Sequence, residues 1–193
     1  LMADPDAAWD DLLRESNAVT FHAIFPSLID AGNIPVEPID LDLAFPRPQL
    51  AAGSPRETLF LDTREDAIRD VDTDSVLAIL WEAVESTSSK RLLFRPHPTQ
   101  LSRISRALRD TAWACELEGV LEDALREVGV GRVYSFYSSG AFSAKLTQRD
   151  VQLFCLRTRG TVISENLARV YKLLEATELT LDAEQNTSSG NSA

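Results

Sequence analysis

From residue 58 onward the apolar positions alternate between two rhythms. Short continuous runs, Thr58-Leu59-Phe60-Leu61, Arg91-Leu92-Leu93-Phe94, Val133 to Tyr137 and Val151 to Leu156, have the length and bulk of buried strands. Between them, apolar residues recur every three or four positions. A helix opening at Asp74 places Val76, Leu77, Leu80, Trp81 and Val84 on one face, and Leu101, Ile104 and Leu108 stripe a second. Leu121, Ala124, Leu125 and Val128 stripe a shorter helix closed by Gly129 and Gly131. A helical run covers Ala141 to Leu146, and Ser164 caps a last helix carrying Leu167, Val170, Tyr171 and Leu174. Strands separated by helix-length segments predict βαβ units, hence an α/β fold with a mostly parallel sheet and helices on both faces.

The remainder of the chain reads differently. Asp4, Pro5, Trp9, Leu12 and Leu13 predict a helix over the first sixteen residues, followed by a strand from Val19 to Phe25 that Pro26 stops. Five of the nine prolines fall between residues 30 and 58, and each removes a backbone donor, so this stretch is expected to be an extended crossing segment or loop. From Asp182 the sequence is polar without a core-forming pattern, which predicts a disordered tail. The expected division is therefore 1–57, 58–181 and 182–193.

Composition narrows the partners. With 193 residues, 44% of them hydrophobic, the chain is long enough to bury a core without a disulfide or metal staple. Its 30 acidic residues outweigh 19 basic ones, and a net charge of −11 argues against a general nucleic-acid or anionic-membrane binder. A small anionic ligand answers to a local site instead. Cys115 and Cys155 form neither a disulfide framework nor a zinc motif. No apolar run approaches a membrane span, and Leu1-Met2-Ala3-Asp4 lacks the features of a signal peptide. The expected location is the cytoplasm, with the inner face of the membrane as the alternative.

In parallel sheets ligands sit beyond the carboxyl ends of the strands, and two such places stand out. Arg95-Pro96-His97-Pro98 follows a strand directly, and its prolines stiffen the loop, so His97 is held where an imidazole can serve a phosphate as hydrogen-bond donor or general acid. The plain alternative is a loop histidine that merely packs. Tyr137-Ser138-Ser139-Gly140 hands a strand over to a helix, and hydroxyls beside free amides at a helix N-terminus suit a phosphate. An ordinary serine N-cap is the plain reading there. Glu122, with Glu118 one turn earlier, is a candidate acceptor for ribose hydroxyls or a member of a solvated acidic face. Lys145 lies about one and a half turns into the helix after the serines and is either local positive charge or solvated. Motifs for a P-loop, GxGxxG, HExxH or nucleophile elbow are absent from the sequence.

Taken in order, Phe94-Arg95-Pro96-His97-Pro98, the acidic helix Val120 to Leu125, and Arg132 to Phe142 with its Ser138-Ser139 pair resemble the donor half of bacterial sialyltransferases and polysialyltransferases of GT-B fold. CDP-glycerol glycerophosphotransferases share the His-Pro and Ser-Ser pieces. The resemblance covers about residues 58–160. It implies a Rossmann-like, nucleotide-sugar donor-binding domain, with His97 at the donor phosphate assisting departure of CMP. It further implies Ser138, Ser139 and Arg95 at the same phosphate, and Glu122 and Glu118 at the ribose or base. The implied transferase is inverting and metal-independent, with no cofactor, and it joins a CMP- or CDP-activated, sialic-acid-like sugar to a glycan acceptor. Thr99 and Gln100 stand where the family often carries a basic residue, leaving Arg103 as the nearest cation, and Ser135 or Phe136 replaces an expected glycine. Residues 1–57 are too short for the family's acceptor domain, so the chain is expected to be the donor half of a longer enzyme, or a shortened or degenerate homologue.

Two other classes fit parts of the pattern. A non-catalytic partner or regulatory module of the same fold would account for the acidic surface and the missing basic residue. A phosphatase or kinase would need an acidic or lysine-bearing loop after the first sheet strand, where Asp62-Thr63-Arg64 is the sole candidate.

Overall fold

Six parallel strands in the order β5-β4-β3-β6-β7-β8 form the main sheet: β3 (Glu57–Leu61), β4 (Leu92–Arg95), β5 (Ala114–Glu116), β6 (Val130–Ser135), β7 (Gln152–Thr158) and β8 (Thr177–Leu181). The computed structural model describes residues 21–24, 27, 35–44, 56–158 and 163–181. The helix expected over residues 1–16 and the tail from Asp182 lie outside the described residues. The chain divides into two compact units between Pro46 and Arg47.

In the first unit, β1 (Phe21–Ala23) pairs in parallel with β2 (Val36–Pro38), with Phe21 opposite Val36. A one-turn helix, α1 (Leu41–Ala44), follows, and Asp40 Oδ1 accepts the Leu43 amide at 3.2 Å. The proline-rich stretch therefore contains short regular elements where only an extended loop was expected. Pro38 is tolerated because it ends its strand, where a missing donor breaks no central ladder.

The second unit is α/β and Rossmann-like. Its helices are α2 (Thr73–Glu85), α3 (Arg103–Arg109), α4 (Leu121–Glu127), α5 (Ser139–Thr147) and α6 (Glu165–Leu173). The chain runs β3-α2-β4-α3-β5 toward one edge, then crosses back through α4 to β6 and continues β6-α5-β7-α6-β8 toward the other. Because parallel crossovers are right-handed, the two directions put α2 and α3 on one face and α4 to α6 on the opposite one. The α2–α3 and α4–α5 contacts agree with that division. Strand alternation then sorts the core. Phe94, Phe60, Tyr134 and Phe154 lie in register across four strands, and the first three are buried with Val76 and Leu80 of α2. Burial of each such side chain contributes about 1.5–3 kcal/mol.

Several boundaries differ from the sequence expectation for identifiable reasons. The α2 cap is Asp72, which accepts the Asp74 and Ser75 amides, so the helix starts at Thr73, one residue before Asp74. Trp81 lies 40% exposed on that helix with its ring edge-on to Trp113. Strand β6 begins at Val130 and stops at Ser135, because Tyr137 takes a left-handed conformation with φ of 55°. Strands β5 and β8 were not anticipated; each is an edge of the sheet and half exposed, so neither carries an apolar run.

Candidate functional site

Strand β3 has β4 on one side and β6 on the other, and the chain leaves β3 and β6 toward opposite faces. Such a divergence opens a crevice beyond the carboxyl ends of the strands. A cleft of about 450 Å³ occupies that place. Its walls are the end of β3 (Leu61, Asp62, Thr63), the Arg95–Pro98 loop, the first turn of α4 (Leu121, Glu122), the Tyr137–Gly140 turn and Ser143 of α5.

His97, half-buried, lines this cleft from the loop after β4. Its Nδ1 lies 3.1 Å from the Thr99 hydroxyl and 3.4 Å from the Thr99 amide nitrogen. The loop is closed by a Gln100 amide donating to the His97 carbonyl at 3.3 Å and is anchored by helix α3 immediately after it. Thr99 occupies the position where a basic residue was expected, and its hydroxyl contacts the imidazole.

The two serines have different tasks. Ser138 is the N-cap of α5: its Oγ accepts the Gly140 amide at 3.2 Å, and its carbonyl accepts the Ala141 amide and the Tyr171 phenol, each at 3.0 Å. The plain N-cap reading thus describes Ser138, which retains its own hydroxyl proton for donation. Ser139 is exposed on the cleft wall, and no hydrogen bond among the described residues engages its hydroxyl. Gly140 permits the close approach of α5 to its neighbours, since a Cβ there would lie 2.9 Å from Leu121 Cδ2 and 3.1 Å from Leu61 Cδ1.

The left-handed Tyr137 turns the chain from strand to helix at a cost of about 1–2 kcal/mol. Packing offsets this strain. The Tyr137 ring lies edge-on to Tyr171, with centroids 4.8 Å apart, and its phenol donates to Glu178 Oε1 at 3.0 Å. Burial holds both phenols protonated well above the usual tyrosine range, so they act as fixed donors. Cys155, beneath this cluster, has its thiol pushed up to about 11 by burial and is correspondingly unreactive.

Glu122 sits in the first turn of α4, where a carboxylate complements the helix dipole. Ser143 donates to its Oε1 at 2.6 Å, and this bond, with the Glu122 backbone amide, holds the carboxyl below its usual range. Glu118 is exposed and is not part of the cleft wall. Arg95 does line the cleft, while its Nη1 donates to the Leu117 carbonyl at 2.7 Å. Lys145 is directed elsewhere, donating to the Val151 carbonyl at 3.0 Å. Arg103 is consumed structurally: it binds Glu65, Thr73 and the carbonyls of Ile68, Arg69 and Val71. It therefore does not supply the cation missing after His97-Pro98.

Asp62 is the site residue that sequence reasoning undervalued. It is 4% exposed at the cleft floor; its Oδ1 accepts the Thr63 amide and its Oδ2 the hydroxyls of Ser102 and Ser105. Ser102 is itself the N-cap of α3, so Asp62 ties the end of β3 to the helix that follows the His97 loop. Burial pushes this carboxyl above its ordinary range despite the three hydrogen bonds. With both oxygens engaged, it serves as an anchor between β3 and α3.

Polar groups thus lie on three walls of the cleft: the imidazole of His97, the hydroxyls of Ser138 and Ser139, and the carboxyl of Glu122, held below its usual range. The fold is α/β and Rossmann-like, with a cleft beyond the carboxyl ends of its central strands. No protein-family model and no curated protein matches the chain. Among the described residues, no group of three or more His, Cys, Asp or Glu side chains is placed to hold a metal ion, and no helix is long and apolar enough to cross a membrane.

Proposed function

We propose that residues 58–181 bind an activated-sugar donor through its nucleotide, as the donor half of a GT-B glycosyltransferase similar to bacterial sialyltransferases. The observation that carries this reading is the single cleft at the β3/β6 divergence, shared by His97, Ser138, Ser139, Arg95 and Glu122. A nucleotide presents two unlike ends, a phosphate seeking donors and a ribose offering hydroxyls. The imidazole, the two serine hydroxyls, Arg95 and the start of α5 receive the phosphate, and the Glu122 carboxylate accepts from the ribose. When the sugar departs, charge collects on the phosphate, and donors fixed in advance stabilise it without reorganising. The sugar is CMP-linked and sialic-acid-like, the acceptor a glycan, and the acidic base comes from an acceptor domain outside residues 58–181.

Calorimetric titration with CMP and CDP tests the reading. Binding should be measurable, and His97→Ala should weaken it at least tenfold, about 1.4 kcal/mol. No binding at millimolar CMP or CDP would remove the proposal. A second reading, a partner or regulatory module without transfer activity, draws on Arg103, whose commitment to Glu65 and backbone carbonyls leaves the His97 loop without the family's basic residue. Nucleotide binding with no transfer or hydrolysis of a CMP-sugar, even with an acceptor domain supplied, would favour it.

A further inference from the structure

We infer that Thr99 is a positioning residue that fixes which nitrogen of His97 carries the proton. A neutral imidazole has one donor and one acceptor, and the hydrogen bond at one ring nitrogen decides the role of the other. The Thr99 backbone N–H can only donate, and it lies 3.4 Å from Nδ1. A proton on Nδ1 would set two hydrogens against each other, so Nδ1 is the acceptor. The Thr99 hydroxyl, at 3.1 Å, then donates to the same nitrogen and is the stronger of the two contacts. The ring's single proton is left on Nε2, so the nitrogen that Thr99 does not engage on this cleft-lining residue is an N–H donor. This rests on the nucleotide reading only for its purpose: a phosphate needs a donor, and the opposite tautomer would present a lone pair to an anion. It also gives a physical role to a threonine that stands where the transferases the sequence resembles often carry a basic residue.

The tautomer can be read without any ligand. The chain has two histidines, His22 and His97. Long-range proton–nitrogen correlation on 15N-labelled protein, at a pH well above the ordinary imidazole value of about 6.5, separates the two forms, and His97→Gln assigns the signals. Wild type should show His97 protonated at Nε2. Thr99→Val should reduce that preference severalfold by removing the hydroxyl, and Thr99→Ser should restore it. Because Thr99 is exposed, the substitutions leave the fold intact, which circular dichroism verifies. In parallel, CMP affinity should fall about three- to tenfold in Thr99→Val and recover in Thr99→Ser. A wild-type His97 protonated at Nδ1, or a tautomer ratio unmoved by Thr99→Val, overturns the inference. If the tautomer responds as stated but wild type binds no CMP, the positioning role stands and the nucleotide reading falls.

Discussion

Ser143 of α5 donates its hydroxyl to Glu122 Oε1 of α4 at 2.6 Å, joining two helices that border the cleft and directing the carboxylate that one of them contributes. The bond is also the largest cause of the lowered Glu122 pKa.

Replacing Ser143 with Ala should therefore move the Glu122 titration upward toward the ordinary value of about 4.3. A carboxyl held low in the fold adds stability that is present above its unfolded value and lost as pH falls through the folded one. The variant narrows that window, and its deficit against wild type should disappear in strong acid. Carboxyl 13C shifts followed against pH check the titration, and an unmoved Glu122 midpoint contradicts it.

Tyr171→Phe removes the phenol that donates to the Ser138 carbonyl while preserving the ring contacts with Tyr137 and Phe142. Stability should drop by about 1 kcal/mol, the usual worth of one hydrogen bond. Nucleotide affinity should drop with it, since the N-cap of α5 loses a fixed point. Denaturant unfolding and calorimetry measure the two effects separately.

Asp62→Ala leaves the buried hydroxyls of Ser102 and Ser105 without their acceptor and should cost about 1–3 kcal/mol for each donor left unsatisfied. Asp62→Asn tests the charge. The raised carboxyl binds its proton more tightly in the fold than in the unfolded chain, so its contribution declines as pH rises above about 3.9 toward the folded value and is constant beyond it. Asp62→Asn lacks that slope. The stability difference between wild type and Asp62→Asn should accordingly shift against wild type across that interval, as chemical denaturation at several pH values would reveal.

The central strands were legible because both of their faces are buried: Leu59 to Leu61 and Leu92 to Phe94 show no polar interruption. At the sheet edges the signal fails. In β8, four of the five residues are partly or fully exposed, and β5 has no buried residue, so their membership depends on a neighbouring strand rather than on their own composition. The same distinction applies to the cleft. His97 and the Ser138–Ser139 pair could be picked out because they directly follow strand-like runs. Asp62 also follows such a run and stands out as an acidic strand-end residue, but its anchoring of Ser102 and Ser105 was not legible. Nor were the roles of Ser143 and Tyr171, since each of the three acts through a partner 21 to 43 residues away in sequence that only the packed helices bring near. Tyr137 misled for a local reason: a tyrosine at the end of an apolar run reads as strand, whereas in the fold it is left-handed, with its ring edge-on to Tyr171 and its phenol donating to Glu178.

The most direct measurement is a double-mutant cycle on CMP binding with His97→Ala, Ser139→Ala and the two combined. If the imidazole and the hydroxyl hold one phosphate, each single variant should weaken binding and the pair should be non-additive by about 0.5–3 kcal/mol. Strict additivity, or wild-type protein that binds no CMP at millimolar concentration, would contradict the account.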